Sequence, residues 1–181
     1  VVSRGAGRSA VAASAYLSCS RLYNDYDGIQ HDYTKKQGLV WQEVFLPEYA
    51  PQEWRDREKL WNAVEEVETA KDSRLAREFV VALPIELNRE EQIELLQEFI
   101  REQFVSDGMC ADAAREFAYP AGHKKEATYG FLLLVNLPLS LRGHGENRRD
   151  ETAPKRGTAE DFFFRVFRNL FAVSDTLLLH M

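Results

Sequence analysis

The sequence predicts an α+β fold, because short apolar runs typical of strands alternate with amphipathic helical patterns. The clearest strand pattern spans residues 131–137 and is bounded by Gly130 and Pro138, as in a strand covered on both faces. The clearest helix pattern follows Asn88, which precedes Glu91 by three residues as in a capping box. With 181 residues, of which 45% are hydrophobic, the chain suits one globular domain with a substantial core.

The first part of the chain is predicted to contain a helix, a loop and a strand. Ser9 is the expected N-cap of a helix over residues 9–23, because its hydroxyl can accept a hydrogen bond from the first turn and the alanines that follow favour helix. Residues 24–38 hold charged and turn-forming residues and are expected to form a connecting loop. Residues 39–46 form a possible strand that ends at Pro47.

The middle of the chain alternates helix and strand patterns. Residues 55–71 repeat apolar side chains with the period of a helix, and Glu65 falls on its predicted solvated, acidic face. Residues 79–83 form a short apolar strand pattern, and residues 88–104 form a second amphipathic helix. Residues 109–118 are a further candidate strand.

The predicted domain organisation has three parts. We expect one α+β domain over residues 1–139, a charged, glycine-containing linker over residues 140–157, and an aromatic-rich helix over residues 158–181. The aromatic side chains of that helix occupy almost every side of it. It is therefore expected either to pack within a core or a partner, or to have no evolved role.

The composition excludes several classes of protein. The net charge of −6 and the pI near 5.3 argue against a protein that coats nucleic acid, although they allow a local basic site. Cys19 and Cys110 lack metal-ligand spacing, which fits a reducing cytoplasm. There is no signal peptide and no apolar run of roughly 18 residues, so we expect a cytoplasmic protein without a membrane segment. The chain begins with two valines and no methionine, and we expect it to be a fragment.

The N-terminal segment carries the pattern with the most chemical content. Glycines let a backbone approach a ligand closely, and the guanidinium groups of Arg4 and Arg8 match phosphate oxygens bidentately. Lys35 and Lys36 extend this cluster of basic residues. Tyr16 follows in the small-residue helix, where its phenol could attack a phosphodiester. The alternative is a packed core tyrosine.

Five separated motifs, in order, resemble the MobA/MobL family of plasmid mobilisation relaxases. They are Arg-Ser-Ala-Val-Ala-Ala-Ser-Ala-Tyr (8–16), Asp-Gly-Ile (27–29), His-Asp-Tyr-Thr-Lys-Lys (31–36), residues 75–84 and residues 108–114. The resemblance covers about residues 2–114. It implies the HUH-endonuclease-like relaxase architecture, an antiparallel sheet with helices packed on one or both faces, incomplete here at its first strand.

The resemblance also implies a function. Such relaxases nick single-stranded DNA at a transfer origin, where a tyrosine attacks the phosphodiester and becomes linked to the 5′ phosphate. Tyr16 stands at the nucleophile's position, and the partners implied are origin DNA and other mobilisation proteins. Glu78 lies on the strand expected near the metal site, where it could orient a ligand or accept a proton. The alternative is a solvent-facing Glu78 paired with Arg77 or Arg74.

A divalent metal, Mg²⁺ or Mn²⁺, held by three histidines is expected from the family. Where the family has Ile-His-Asp and then Asn-Pro-His-x-His, this chain has Arg-Glu-Phe (115–117) and, at the paired positions, Thr128 and Gly130. Neither Thr128 nor Gly130 can replace an imidazole, and His123 is one histidine alone. The ligands are therefore not recognisable, and the prediction is an impaired relaxase, since a phenol with a pKa of about 10 is a weak nucleophile.

Other interpretations stay open from the sequence. The chain could be a non-catalytic DNA-binding or mobilisation accessory module, or a truncated or frameshifted remnant whose frame changes near residue 115. His31 and Asp32 resemble a catalytic pair, but neighbouring strand residues point to opposite faces. A structural or DNA-positioning role is therefore favoured for His31.

Overall fold

The computed structural model describes residues 1–84, 86–118 and 127–135. These residues contain seven strands and three α-helices, joined by loops and short 3₁₀ turns. In chain order they are β1 (Val2–Ser3), α1 (Ala10–Leu17), β2 (Arg21–Asn24), β3 (Ile29–Asp32), β4 (Leu39–Phe45), α2 (Arg57–Val67), β5 (Arg74–Ala82), α3 (Arg89–Ile100), β6 (Ala111–Ala118) and β7 (Ala127–Val135). None of these helices is long and apolar enough to span a membrane.

Five strands form one antiparallel sheet in the order β1-β5-β7-β6-β4. Helices cover both faces of this sheet. Asp112 of β6 contacts α1 and α2 on one face, whereas Arg115, three residues later, contacts Gln92 of α3 on the other. The predicted α+β class, with an antiparallel sheet and packed helices, is confirmed.

The predicted loop over residues 24–38 is wrong, because β2 and β3 form an antiparallel hairpin that packs on α1. The predicted helix over residues 9–23 is also too long. The amide of Ser20 donates to the carbonyl of Ala15 at 3.0 Å, and Cys19 takes a left-handed φ of 51°. These contacts form a Schellman-type stop, which glycine usually marks in a sequence. Here a cysteine holds that position, so the usual signal is missing.

Several local signals give the observed boundaries. The Ser9 side chain accepts a hydrogen bond from the amide of Ala12 at 3.1 Å, which confirms the predicted cap of α1. Asn88 and Glu91 form the predicted capping box of α3. That helix continues as a π-helical segment over 101–105.

The other elements of the described chain lie close to their predicted positions. The helix predicted over 55–71 is shorter at both ends, and the strand predicted over 79–83 begins earlier, at Arg74. The first residues of this strand, β5, pair with β1. The strand predicted over 131–137 begins at Ala127. The predicted linker (140–157) and C-terminal helix (158–181) lie outside the described residues.

A buried carboxylate joins three elements in the core. Asp112 is fully buried and accepts hydrogen bonds from Ser14 Oγ at 2.6 Å and Trp61 Nε1 at 3.1 Å. Arg57 Nε contributes an ion pair at 2.9 Å. Burial raises the pKa of the Asp112 carboxyl, and the charge of Arg57 opposes that shift. One side chain of β6 therefore holds both α1 and α2 in place.

A second buried carboxylate lies at the start of α1. Glu65 Oε1 accepts the backbone amide of Ala10 at 2.8 Å, where a negative charge favours the helix. Its other oxygen pairs with Arg4 at 3.0 Å. The prediction that Glu65 lies on a solvated face is therefore wrong, because the N terminus of α1 and the guanidinium supply partners for its charge inside the protein.

The Asp112 contacts predict a large loss of stability when the carboxylate is removed. In Asp112→Ala, the Trp61 N–H and the Ser14 hydroxyl stay buried without their acceptor, and Arg57 loses its ion pair. We therefore expect the free energy of unfolding to fall by about 3–5 kcal/mol. Urea denaturation measures this change. Glu94→Ala, on the exposed side of α3, should stay within about 0.5 kcal/mol. Equal effects of the two substitutions would contradict the role given to Asp112.

Arg4 is predicted to act on stability in the same way. Its side chain is 9% exposed, so Arg4→Met leaves the Glu65 carboxylate without its cation and should cost about 2–3 kcal/mol. Arg21→Met removes an exposed ion pair to Asp32 and should cost at most about 1 kcal/mol. Thermal and urea unfolding of both variants distinguish the two cases, and a near-neutral Arg4→Met would show that its buried contacts stabilise nothing.

Candidate functional site

Tyr16 lies in the last turn of α1, with its side chain at the protein surface. The residue is 49% exposed, so it is not the packed core tyrosine of the alternative interpretation. The ring of Tyr33 packs edge-on against it at a centroid distance of 5.3 Å. The Lys36 ammonium lies 3.9 Å from the centre of the Tyr16 ring. The phenol is thus accessible and has a cation beside it.

Lys36 is fixed by two further contacts. Its Nζ donates to the backbone carbonyl of Tyr16 at 2.9 Å and forms an ion pair with Glu116 on β6. The side chains of Lys36 and Glu116 are 17% and 26% exposed, so the pair is partly screened from water. Lys35, one residue earlier, is exposed. Of the basic residues predicted from the sequence, the structure therefore brings Lys36 to Tyr16.

Glu116 was not among the residues predicted to form the site. Its partner is 80 positions away in the chain, and no local pattern reveals such a contact. The available signal was its place directly after the motif of residues 108–114, where the resemblance implies the histidine of Ile-His-Asp.

Arg8 and Glu78 form a bidentate ion pair next to the start of α1. Arg8 Nη2 donates to Glu78 Oε1 at 2.8 Å, and Nη1 lies 2.7 Å from Oε2. The predicted alternative partners of Glu78, Arg77 and Arg74, are therefore wrong. Arg8 and Tyr16 lie near opposite ends of α1, about 12 Å apart along the helix. Within the described structure, no hydrogen bond joins Glu78 to Tyr16.

Arg4 contacts the protein with most of its guanidinium. Its nitrogens donate to the carbonyls of Glu65, Glu68 and Ala70, and the group stacks 4.1 Å from the centre of the Tyr26 ring. Because these contacts bury the cation, the structure gives Arg4 a role in holding the N-terminal segment. Arg8, with 45% of its side chain exposed, is open to solvent.

His31 and Asp32 do not form a pair. Asp32 accepts hydrogen bonds from the Thr34 hydroxyl at 2.7 Å and from the Thr34 amide, which lower the pKa of its carboxyl. His31 pairs in register with Leu22, which is buried, and it is half-buried itself. The two side chains therefore point to opposite faces of the hairpin, as predicted.

The described residues do not fit the metal that the resemblance implies. Among them, no group of three histidine, cysteine, aspartate or glutamate side chains could hold a metal ion. Near Tyr16, the Glu116 carboxylate is already paired with Lys36, and burial raises the pKa of the Cys19 thiol. A divalent cation there would face the ammonium with too few deprotonated ligands. Three histidines lie outside the described residues: His123, His144 and His180.

The register between β6 and β7 shows to which face of the sheet positions 128 and 130 belong. These are the two positions compared with the paired histidines of the family. Gly130 pairs with Arg115, and Thr128 lies two residues before it in β7. Glu116 belongs to the opposite face of the sheet from Arg115, because strand residues alternate. In this register, Thr128 and Gly130 therefore do not share the face of Glu116, which is the face nearest Tyr16.

One cavity of the described structure does not have Tyr16 in its lining. It has a volume of about 730 Å³ and lies between the turn after β2 and helix α2. Four carboxylate residues and one lysine line it together with aromatic side chains. Such a negative lining repels phosphate, so this cavity is not a candidate for DNA.

Comparisons with known proteins identify the family. The model of the MobA/MobL family matches residues 8–162. Conjugal transfer protein TraA of Rhizobium radiobacter is 40% identical over 122 residues, covering 62% of this chain and 11% of the relative. The probable TraA of Sinorhizobium fredii is 39% identical over 185 residues, covering 96% and 16%. The probable mobilization protein MobA of Bifidobacterium longum is 37% identical over 113 residues, covering 62% and 20%.

A solved structure agrees with this result. The structure described as "Molecular Basis of Vancomycin Resistance Transfer in Staphylococcus aureus" superposes with a TM-score of 0.74 at 30% identity, covering 93% of this chain and 84% of that one. The likeness confirms the predicted relaxase-type α+β architecture.

These matches correct the extent of the resemblance predicted from the motifs. The family match continues to residue 162 and the Sinorhizobium relative aligns over 96% of the chain, so the likeness does not end near residue 114. A frameshift that leaves all later sequence unrelated to the family is therefore not supported. The chain spans only 11% to 20% of the length of these three relatives. It belongs to the MobA/MobL family of conjugal transfer and mobilisation proteins.

Proposed function

We propose that this chain is the DNA-processing domain of a mobilisation relaxase, which binds single-stranded origin DNA and presents Tyr16 to the phosphodiester. The observation that carries the proposal is the position of Tyr16, a half-exposed phenol with the Lys36 ammonium over its ring. A fixed cation beside a nucleophile can neutralise the phosphate that approaches it. We propose that the domain acts on DNA in the cytoplasm and that other mobilisation proteins are its partners.

The proposed reaction is a transesterification. The Tyr16 oxygen attacks the phosphorus of the DNA phosphodiester and forms a Tyr–O–P bond, which links the protein to the 5′ phosphate. At the same time, the bond between the phosphorus and the 3′ oxygen breaks. The proton lost by the phenol is balanced by the proton gained at the departing 3′ oxygen. No oxidant or additional reactant is required.

We assign the other residues by their contacts. Arg8, Lys35 and Lys36 are the proposed DNA contacts, and two of them retain substantial exposure. Glu78 is proposed as a positioning residue that fixes the Arg8 guanidinium at the surface, because both of its oxygens contact that guanidinium. Arg4 is omitted from the DNA contacts because its guanidinium is buried in the fold.

The second candidate function is a DNA-binding module with little or no nicking activity. The Lys36–Glu116 pair favours it, because the resemblance implies a metal-site histidine directly after residues 108–114, and this chain has a paired carboxylate there. A metal acts as a Lewis acid on the phosphate, a contribution of several kcal/mol to the transition state. Without a recognisable donor set among the described residues, we propose that nicking by this chain is weak relative to its family.

The nucleophile is tested by Tyr16→Phe in the full chain. We expect the variant to bind single-stranded DNA as tightly as the unmodified chain, since only a hydroxyl is lost. Any covalent protein–DNA adduct formed on a supercoiled plasmid carrying a transfer origin should disappear. Gel analysis with Mn²⁺ measures both species, and Tyr23→Phe, another exposed phenol, should leave the adduct unchanged. Efficient nicking that survives in Tyr16→Phe would falsify the assignment, and efficient nicking lost in that variant would contradict the proposed impairment.

The basic contacts are tested by the salt dependence of DNA binding. Each single-strand phosphate contact contributes a slope of about −0.7 to log K against log salt. Arg8→Met and Lys35→Met should each make the slope shallower by about that amount. Lys59→Met, an exposed lysine beside the acidic cavity, is the matched control and should not change it. Equal slopes for all variants would contradict the assignment, because they would show that neither Arg8 nor Lys35 contacts a DNA phosphate.

A further inference from the structure

The Lys36 ammonium has more than one role in the free protein. Its Nζ lies 3.9 Å from the centre of the Tyr16 ring and donates to the Tyr16 carbonyl. The carbonyl contact fixes the cation next to the phenol whatever else binds to it. The remaining strong partner is the Glu116 carboxylate, which is therefore an anion held on the ammonium beside the Tyr16 ring.

We propose that Lys36 and Tyr16 form a phosphate subsite, and that Glu116 occupies this subsite in the free protein. The inference rests on the proposed function, because it names how that site takes the phosphodiester. The carboxylate and the phosphate are both oxygen anions that accept hydrogen bonds from an ammonium. When DNA binds, one anion replaces the other on Lys36.

The exchange is physically accessible because the ion pair is not deeply buried. The side chains of Lys36 and Glu116 retain 17% and 26% exposure, so a released Glu116 can be hydrated. Ion pairs that keep contact with water contribute little net stability. The Tyr16 carbonyl and ring remain as partners of the ammonium throughout, so the cation does not have to move.

The charges of the two states are the same. Lys36 carries one positive charge, and the Glu116 carboxylate that pairs with it carries one negative charge. A phosphodiester group also carries one negative charge. Replacing the carboxylate by a phosphate therefore leaves the charge balance at Lys36 unchanged.

The test compares Glu116→Gln with the unmodified full chain. Removing the competing anion should tighten binding of a fluorescein-labelled, mixed-sequence single-stranded oligonucleotide by about fivefold. Fluorescence anisotropy in EDTA and in Mn²⁺ at equal ionic strength should give the same affinity for each variant.

Two further variants test whether the effect of Glu116→Gln on DNA affinity comes from its contact with Lys36 or from the change in net charge. Glu94→Gln changes the net charge equally but lies on α3, on the other face of the sheet, and should alter affinity less than twofold. In a Lys36→Met background, Glu116→Gln should lose its specific effect, because the shared partner is gone. Circular dichroism melts confirm that each variant is folded.

Three outcomes of these binding measurements would contradict the inference. Equal affinities of the unmodified chain and Glu116→Gln would overturn the exchange while leaving DNA binding intact. Stronger binding in Mn²⁺ than in EDTA, lost in Glu116→Gln, would make Glu116 a metal ligand and overturn the inference. Absence of binding by every variant would overturn the proposed function, and the phosphate subsite with it.

Discussion

The buried carboxylate of Asp112 is the interaction on which the arrangement of this protein depends. It joins β6 of the sheet to Ser14 of α1 and to Trp61 and Arg57 of α2. A buried carboxylate without these donors would cost far more than its hydrogen bonds contribute, so the two helices can pack on the sheet only in the orientation that satisfies it. Glu65 applies a similar constraint at the first turn of α1.

These constraints explain how a helix of only two turns can hold the Tyr16 side chain at the surface. Isolated helices of this length are unstable in water, and α1 lacks a charged face of its own. The buried carboxylates fix its start and its middle, which leaves Tyr16 in the last turn with its side chain in solvent. Lys36 then reaches the phenol from the segment after the hairpin, and Glu116 reaches Lys36 from the sheet.

Local patterns were sufficient for much of the fold and for the place of Tyr16 in the first helix. Ser9 and Asn88 satisfy nearby amides, so their roles can be deduced from a few adjacent residues. The β2–β3 hairpin was missed because Cys19 occupies the left-handed position at which glycine would have indicated the end of α1. Glu116 and Glu65 were missed as structural and site residues because their partners are distant in the chain. Helical periodicity alone cannot reveal that an acidic side chain is buried and paired.

The central claim is that the fold presents Tyr16 and the Lys36 ammonium together to a DNA phosphate. A crystal structure of the full chain bound to a single-stranded oligonucleotide tests it most directly. The account predicts a phosphate oxygen within hydrogen-bond distance of Lys36 Nζ, the Tyr16 oxygen facing that phosphate, and Glu116 released from the lysine. A complex in which the Lys36–Glu116 pair stays intact and the DNA lies away from Tyr16 would contradict it.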